Sequence, residues 1–121
     1  MMVDTFEATD NGGATTALCV GRDCYFVIGD GELAESGIIE HQAQSVSALA
    51  GWKAVQGGAT SAPVGIIGEV KHFECSRRPV NGDKIETCVS FGFSFAGATI
   101  IRATSCIAGE QIAETQMKIF I

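Results

Sequence analysis

Five consecutive residues, Glu40-His41-Gln42-Ala43-Gln44, place a carboxylate, an imidazole and two amides inside an apolar stretch of the chain. Carboxylates and imidazoles are among the groups that enzymes use for general acid–base catalysis. On a helix, Gln44 lies four residues after Glu40 and shares its face, so we expect its amide to hold the carboxylate. His41 lies about 100° further round the helix, so a Glu40–His41 dyad within one chain is not expected.

The helix that would carry these residues is predicted over residues 37–55, a segment rich in Ala and free of Pro. Apolar residues cover more than half of its circumference, which indicates packing on most sides. At its start, Gly37 and Ile38 are expected to present free amides that can bind a polarised carbonyl oxygen. A simpler interpretation is that Glu40 caps its own helix while His41 and Gln44 hydrogen-bond to loops.

Strand patterns surround this helix. In residues 84–95, apolar residues from Ile85 to Phe95 alternate with small or polar ones, which is the period of a strand. The short connections Ala96-Gly97 and Gly109-Glu110 suit antiparallel neighbours. Two strands are predicted before the helix and four after it: residues 15–20, 24–28, 64–74, 84–95, 98–108 and 111–121.

This order predicts a single α+β domain over residues 1–121, of the hot-dog kind, in which an antiparallel sheet wraps around one long central helix. One sheet covers only one side of such a helix. A second copy of so small a chain is the natural cover for the other side, so we expect a dimer.

Composition and charge exclude several function classes. The net charge of −6 and the scattered basic residues argue against nucleic acid as a partner. No apolar run approaches the roughly 20 residues of a membrane span, and no signal peptide is recognised, so a cytoplasmic protein is expected. The five cysteines form no C-x-x-C pair and are predicted to be reduced core residues. Two distant histidines without clustered carboxylates predict no metal site.

The segment SGIIEHQAQSVSALAGW resembles the central helix of the 3-hydroxyacyl-acyl carrier protein dehydratases, where a Pro-Gly and a short apolar run precede Glu-Ala-x-Ala-Gln. A weaker similarity runs through VGIIGEVKHFECSRRPVNGDKIE, and together they cover about residues 31–121. The helix is similar in particular to that of the short dehydratase-like proteins of aryl-polyene and flexirubin-type pigment clusters.

The resemblance implies a reaction. In that family a His removes the α-proton of a 3-hydroxyacyl thioester, and a carboxylate on the other protomer's helix helps expel the hydroxyl as water. It implies that Glu40 is this carboxylate, Gly37 the amide donor to the thioester carbonyl and Gln44 the support of Glu40. Further candidates are a catalytic His41 and three substrate-binding residues, Ile38, Lys71 and His72. The substrate is expected on the phosphopantetheine of an acyl carrier protein or on coenzyme A, with no other cofactor.

The family's catalytic His stands about a dozen residues before the Glu, in a His-x-x-Gly-x-Pro loop. The corresponding stretch here, CYFVIGDGELAES, contains neither His nor Pro. Loss of such a base typically removes about 10²- to 10⁴-fold in rate. Three hypotheses therefore stay open: a dehydratase-like lyase, a thioesterase in which Glu40 activates water or attacks the carbonyl, and a non-catalytic subunit of a heterodimer. The expected assembly is a homodimer, a dimer of dimers or a heterodimer with a related subunit.

Overall fold

The computed structural model describes residues 2–9, 12–21, 24, 26–29, 31–56 and 66–120. Over these residues the chain forms six strands and one helix. In chain order they are β1 (Thr5–Ala8), β2 (Ala14–Cys19), α1 (Glu35–Gln56), β3 (Ile66–Cys75), β4 (Lys84–Phe95), β5 (Ala98–Ile107) and β6 (Glu110–Phe120).

The strands form one antiparallel sheet in the order β1-β2-β4-β5-β6-β3. Helix α1 packs against this sheet and contacts β1, β2, β4, β5 and β6. The predicted α+β hot-dog architecture, with a sheet around one long helix, is therefore confirmed.

The long elements match their predicted positions closely. Strand β4 has the predicted bounds, and α1 begins two residues earlier than predicted and ends one residue later. The predicted turn Ala96-Gly97 joins β4 to β5, and both of its residues have positive φ, as a two-residue hairpin turn of type I′ requires. The predicted strand start at Val64 and the last residue, Ile121, lie outside the described residues.

The N-terminal part differs from the prediction. Residues 24–28 were expected to form a strand, but the amides of Cys24 and Val27 donate to carbonyls three residues earlier, in turns. Among the described residues of this stretch, Val27 alone makes a bridge, to Leu33. The strand that the pattern missed is β1, whose four residues are too few to show a clear alternation.

The cysteines also differ from the prediction. All five are unpaired, as expected, but none is buried: Cys19 and Cys88 are exposed, and Cys24, Cys75 and Cys106 are half-buried. Cys88 shows the reason, because it lies between the buried Thr87 and Val89 and so points to the outer face of the sheet.

The core between helix and sheet consists of two apolar clusters. One surrounds Leu33, Ile38 and Ile85, and the other surrounds Leu49 and Met117. The core also holds fully buried polar side chains that belong to the helix and to four strands: Thr16, His41, Gln42, Ser45, Thr87, Ser105 and Thr115. Among the described residues, no helix is both long and apolar enough to cross a membrane.

Gly37, in the first turn of α1, allows the preceding loop to pack onto the helix. A Cβ atom at this position would lie 2.5 Å from Cβ of Phe26 and 2.9 Å from Cδ1 of Leu33. The Cβ of Phe26 is fixed to the backbone and cannot move aside as a flexible side-chain end would. The glycine is therefore required by close packing.

We expect Gly37→Ala to lower the free energy of unfolding by about 1–2 kcal/mol, because overpacking costs more than the alanine gains in helix propensity. Urea unfolding measures the change. The neighbouring Ser36→Ala, at an exposed position of the same turn, serves as control. A Gly37→Ala chain as stable as the native one would contradict this packing.

Candidate active site on helix α1

Glu40 lies half-buried in the second turn of α1, on a face of the helix turned away from the core. The Gln44 Nε2 atom donates to Glu40 Oε1 over 2.9 Å, so the predicted support of Glu40 by Gln44 is present. Among the described residues, Gln44 provides the hydrogen bond that holds this carboxylate. One carboxylate oxygen of Glu40 is thereby held in place.

His41, about 100° further round the helix, points into the core. Its Nδ1 atom lies 2.6 Å from the carbonyl oxygen of Met2, and its Nε2 atom lies 2.8 Å from Oγ1 of Thr87. A carbonyl oxygen only accepts, so Nδ1 carries the proton. The side chain is fully buried. Both ring nitrogens thus have partners away from Glu40, and a catalytic role of His41 stays a prediction.

The hydrogen bond between His41 and Thr87 is continued by others along strands β4 and β5 of the sheet. Thr87 and Ser105 are directly paired on β4 and β5, and their hydroxyl oxygens are 2.6 Å apart. Gln42 Nε2 donates to Ser105 over 2.9 Å. With His41 neutral, every proton in this row has one direction: Gln42 donates to Ser105, Ser105 to Thr87, and Thr87 to His41.

Burial lowers the pKa of His41 from its ordinary value of 6.5. The hydrogen bond to Met2 and the negative charge of Asp4 act in the opposite direction but do not cancel the effect of burial. The imidazole is thus kept neutral near physiological pH, which is the state that the direction of the hydroxyl row requires.

Gly37 and Ile38 do not provide the free amides that were expected. Both amides donate to the carbonyl oxygen of Ala34, over 2.8 Å and 3.3 Å respectively. The side chain of Ile38 is fully buried in the core and is not placed to contact a substrate. The expectation was wrong for these two amides, since the first turn of the helix already satisfies them.

Lys71 and His72, the other two predicted substrate-binding residues, are exposed on β3. Strand β3 lies at the edge of the sheet, where it pairs only with β6. His72 Nε2 is 3.2 Å from Oε1 of Glu74 on the same strand. Both residues are thus placed on a sheet edge, and their contact with substrate stays a prediction.

A cleft of about 630 Å³ opens beside Gln44, between the N-terminal segment and α1. Its walls come from residues 3–6 on one side and from Gln44, Ser47 and Ala48 on the other. The surface of the cleft is mostly apolar. An acyl chain is a ligand of matching chemistry.

Sequence reasoning missed the part that Met2 plays. Its backbone amide donates to Gln44 Oε1 over 2.7 Å, and its carbonyl accepts from His41. Backbone groups carry no residue-specific signal, so nothing in the sequence pointed to residue 2. In the part of the chain that the structure describes, no three His, Cys, Asp or Glu residues are grouped so as to hold a metal ion.

A family model described as ApeP-like, ApeP dehydratase, matches residues 1–120. The chain belongs to the ApeP-like family. The predicted relationship to hot-dog dehydratase-like proteins is therefore confirmed. Among proteins with curated descriptions, none matches this ApeP-like chain.

Solved structures show the same fold. The dehydratase heterocomplex ApeI:P from Xenorhabdus doucetiae matches with a TM-score of 0.87 and 15% identity, over 99% of this chain and 82% of that one. The Escherichia coli PaaI protein from the phenylacetic acid degradation operon matches with a TM-score of 0.76 and 9% identity, over 98% and 78%. Protein smu.793 from Streptococcus mutans, bound to acetyl CoA, matches with a TM-score of 0.74 and 10% identity, over 97% and 88%.

The buried His41 predicts a pH dependence of stability. Because its pKa is lowered in the folded protein, the unfolded chain binds the proton first as the pH falls. We expect the free energy of unfolding to decrease below about pH 6.5, and His41→Gln to reduce this decrease. Urea unfolding at pH values above and below 6.5 measures both.

The control is His72→Gln, which changes an imidazole whose side chain is 50% exposed. Its unfolding curves are expected to follow those of the native chain at both pH values. An equal loss of stability with acid in the native and His41→Gln chains would contradict the assignment of a buried neutral imidazole.

Proposed function

We propose that this ApeP-like chain is a subunit of a 3-hydroxyacyl-thioester dehydratase and contributes Glu40 to an active site shared with a second hot-dog subunit. The substrate is carried on the phosphopantetheine of an acyl carrier protein or on coenzyme A. The observation that carries the proposal is the face on which Glu40 lies: a half-buried carboxylate held by Gln44, with the neutral His41 turned into the core.

The reaction removes water from neighbouring carbon atoms. A base takes a proton from C2 of the acyl group, the C2–C3 double bond forms, and the C3–O bond breaks. Glu40, through the carboxyl oxygen that Gln44 does not hold, donates a proton to the departing hydroxyl, which leaves as water. Glu40 enters this step as the carboxylic acid and leaves it as the carboxylate. The base, which has taken the C2 proton, passes it to Glu40 through solvent after the product has left, so both groups return to their starting states and the cycle balances.

The base is proposed to come from another subunit. The chain has two histidines; His41 is buried with both nitrogens engaged, and His72 lies on the edge strand beside Glu74. Membership of a dehydratase family and the fold shared with the ApeI:P heterocomplex support an assembly of two different chains. The apolar side chains of Trp52 and Val55 on α1 are exposed in this chain, which supports a second subunit that covers this face of the helix.

The acyl group is proposed to enter the cleft beside Gln44. Val3 and Phe6 on the strand side and Ala48 on the helix side give it an apolar lining. Burial of apolar surface stabilises such a complex by roughly 25 cal/mol for each Å² removed from water. The thioester would then lie near Glu40, at the N-terminal end of the helix.

We expect Glu40→Gln to lower the dehydratase rate of the two-subunit assembly by about 10²-fold or more, because an amide cannot transfer the proton. The assay follows hydration of a crotonyl thioester through the loss of its ultraviolet absorbance, with this chain alone and with an ApeI-type subunit. Activity is expected with the two subunits together and not with this chain alone.

The matched control is Glu86→Gln, which makes the same change on the outer face of β4 and is expected to keep the native rate. Native activity in Glu40→Gln would exclude the proposed role of the carboxylate. Full activity of this chain alone would exclude the shared site.

A thioesterase is the second candidate, and one observation favours it: Glu40 and Gln44 are assembled by this chain without an imidazole. In that reaction Glu40 takes a proton from water, the water oxygen attacks the thioester carbonyl, the C–S bond breaks, and the thiol leaves with the proton. The fold shared with a protein solved with acetyl CoA is consistent with such a substrate.

Thiol release from an acyl-coenzyme A by this chain alone tests the second candidate. The exposed Cys19 and Cys88 also react with thiol reagents, so the measurement uses a chain with both changed to Ser. Under the dehydratase proposal we expect no release above the blank. Release that Glu40→Gln abolishes would favour the thioesterase and overturn the dehydratase.

A further inference from the structure

The N-terminal segment is bound to the helix through both backbone groups of one residue. The amide of Met2 donates to Gln44 Oε1 over 2.7 Å, and its carbonyl accepts from His41 Nδ1 at 2.6 Å. These two side chains are three residues apart and are neighbours on the surface of α1. Residue 2 therefore lies against the helix between Glu40 and the side that faces the core.

The amide of Met2 determines which way Gln44 points. A backbone N–H only donates, so the oxygen of the Gln44 amide must face Met2. The nitrogen of the same amide must then face Glu40, where it lies 2.9 Å from Oε1. Oε1 of Glu40 accepts this hydrogen bond in the carboxylate and also in the acid protonated on its other oxygen, and a reversed Gln44 would present it with a second acceptor.

The segment that holds Met2 is itself fixed. The side chain of Met2 is buried in the core. The amide of Asp4 donates to the carbonyl of Ala17, and the carboxylate of Asp4 accepts from the amide of Cys19, both over 2.7 Å. Residues 2–4 thus lie against both β2 and α1, and we call them the N-terminal strap.

We propose that the N-terminal strap is a positioning element for catalysis: the backbone amide of Met2 orients Gln44, and Gln44 orients Glu40. This inference rests on the proposed function of Glu40. Without the strap, the side chain of Gln44 is free to rotate, and Glu40 loses the hydrogen-bond donor that holds its carboxyl group in one orientation. A displacement of about 1 Å of a catalytic group can reduce a rate by about 10²-fold.

The hydrogen bonds from Met2 to Gln44 and from Gln44 to Glu40 are called the relay, and the first test removes it at Gln44. Gln44→Met keeps the length of the side chain and removes both hydrogen bonds. In the assembly of this chain with an ApeI-type subunit, we expect kcat for hydration of a crotonyl thioester to fall by about 10- to 100-fold, with a smaller change in KM. The matched control is Gln56→Met, which makes the same substitution at the exposed end of the same helix and is expected to keep the native rate.

The second test acts on residue 2, in a chain with an N-terminal extension so that residue 2 stays internal. Met2→Pro removes the N–H group but keeps the carbonyl that His41 needs. Met2→Leu keeps both backbone groups and an apolar side chain of similar size. We expect Met2→Pro to lower kcat to a similar extent as Gln44→Met, and Met2→Leu to keep it.

The double variant decides whether the two residues act in one relay. If they do, Met2→Pro combined with Gln44→Met lowers kcat no further than Gln44→Met alone. Additive losses, or a native kcat in Met2→Pro, would overturn the proposal. Urea unfolding of each variant separates a loss of kcat from a loss of the folded state.

A measurement without substrate tests the strap even if Glu40 has no catalytic role. In NMR spectra, the two side-chain N–H protons of Gln44 are expected to exchange with solvent more slowly in Met2→Leu than in Met2→Pro, where the side chain is no longer held by the amide of residue 2. Native activity in Glu40→Gln would reject the proposed function. Identical Gln44 exchange rates in the two Met2 variants would reject the strap.

Discussion

The row of hydrogen bonds from Gln42 through Ser105 and Thr87 to His41 determines how the helix lies on the sheet. These side chains are fully buried, and a buried polar group without a partner costs about 1–3 kcal/mol. Rotating or sliding the helix would separate several pairs at once. With His41 held against the sheet, Glu40 has to lie on the outward side, so a structural row in the core fixes the direction of the candidate catalytic group.

The fold was predictable where the periodic pattern of apolar residues extends over a long stretch of the chain. Strand β4 alternates over 12 residues and α1 extends over 22, so both patterns outweigh local exceptions. Strand β1 has four residues and lies below the length at which alternation is distinct. The stretch 24–28 has strand-like composition, but the amides of Cys24 and Val27 are used in turns, which composition does not reveal.

The site was predictable as far as helix spacing reaches. The spacing of four residues predicted the hydrogen bond between Glu40 and Gln44. The rotation of about 100° per helical residue predicted that His41 does not point towards Glu40. Helix spacing did not predict that Gly37 donates to Ala34, because the first turn of a helix can tighten to satisfy its own amides. Nor did it predict Met2, which lies 42 residues from Gln44 in the chain.

The contact between Met2 and the helix has a consequence for the evolution of such chains. Because the backbone makes both hydrogen bonds, any apolar residue of similar size at this position preserves them. Natural variants can therefore exchange the side chain freely while the contact persists. At position 2 itself, such a contact leaves little trace in an alignment of related sequences, although its partners Gln44 and His41 contribute side chains.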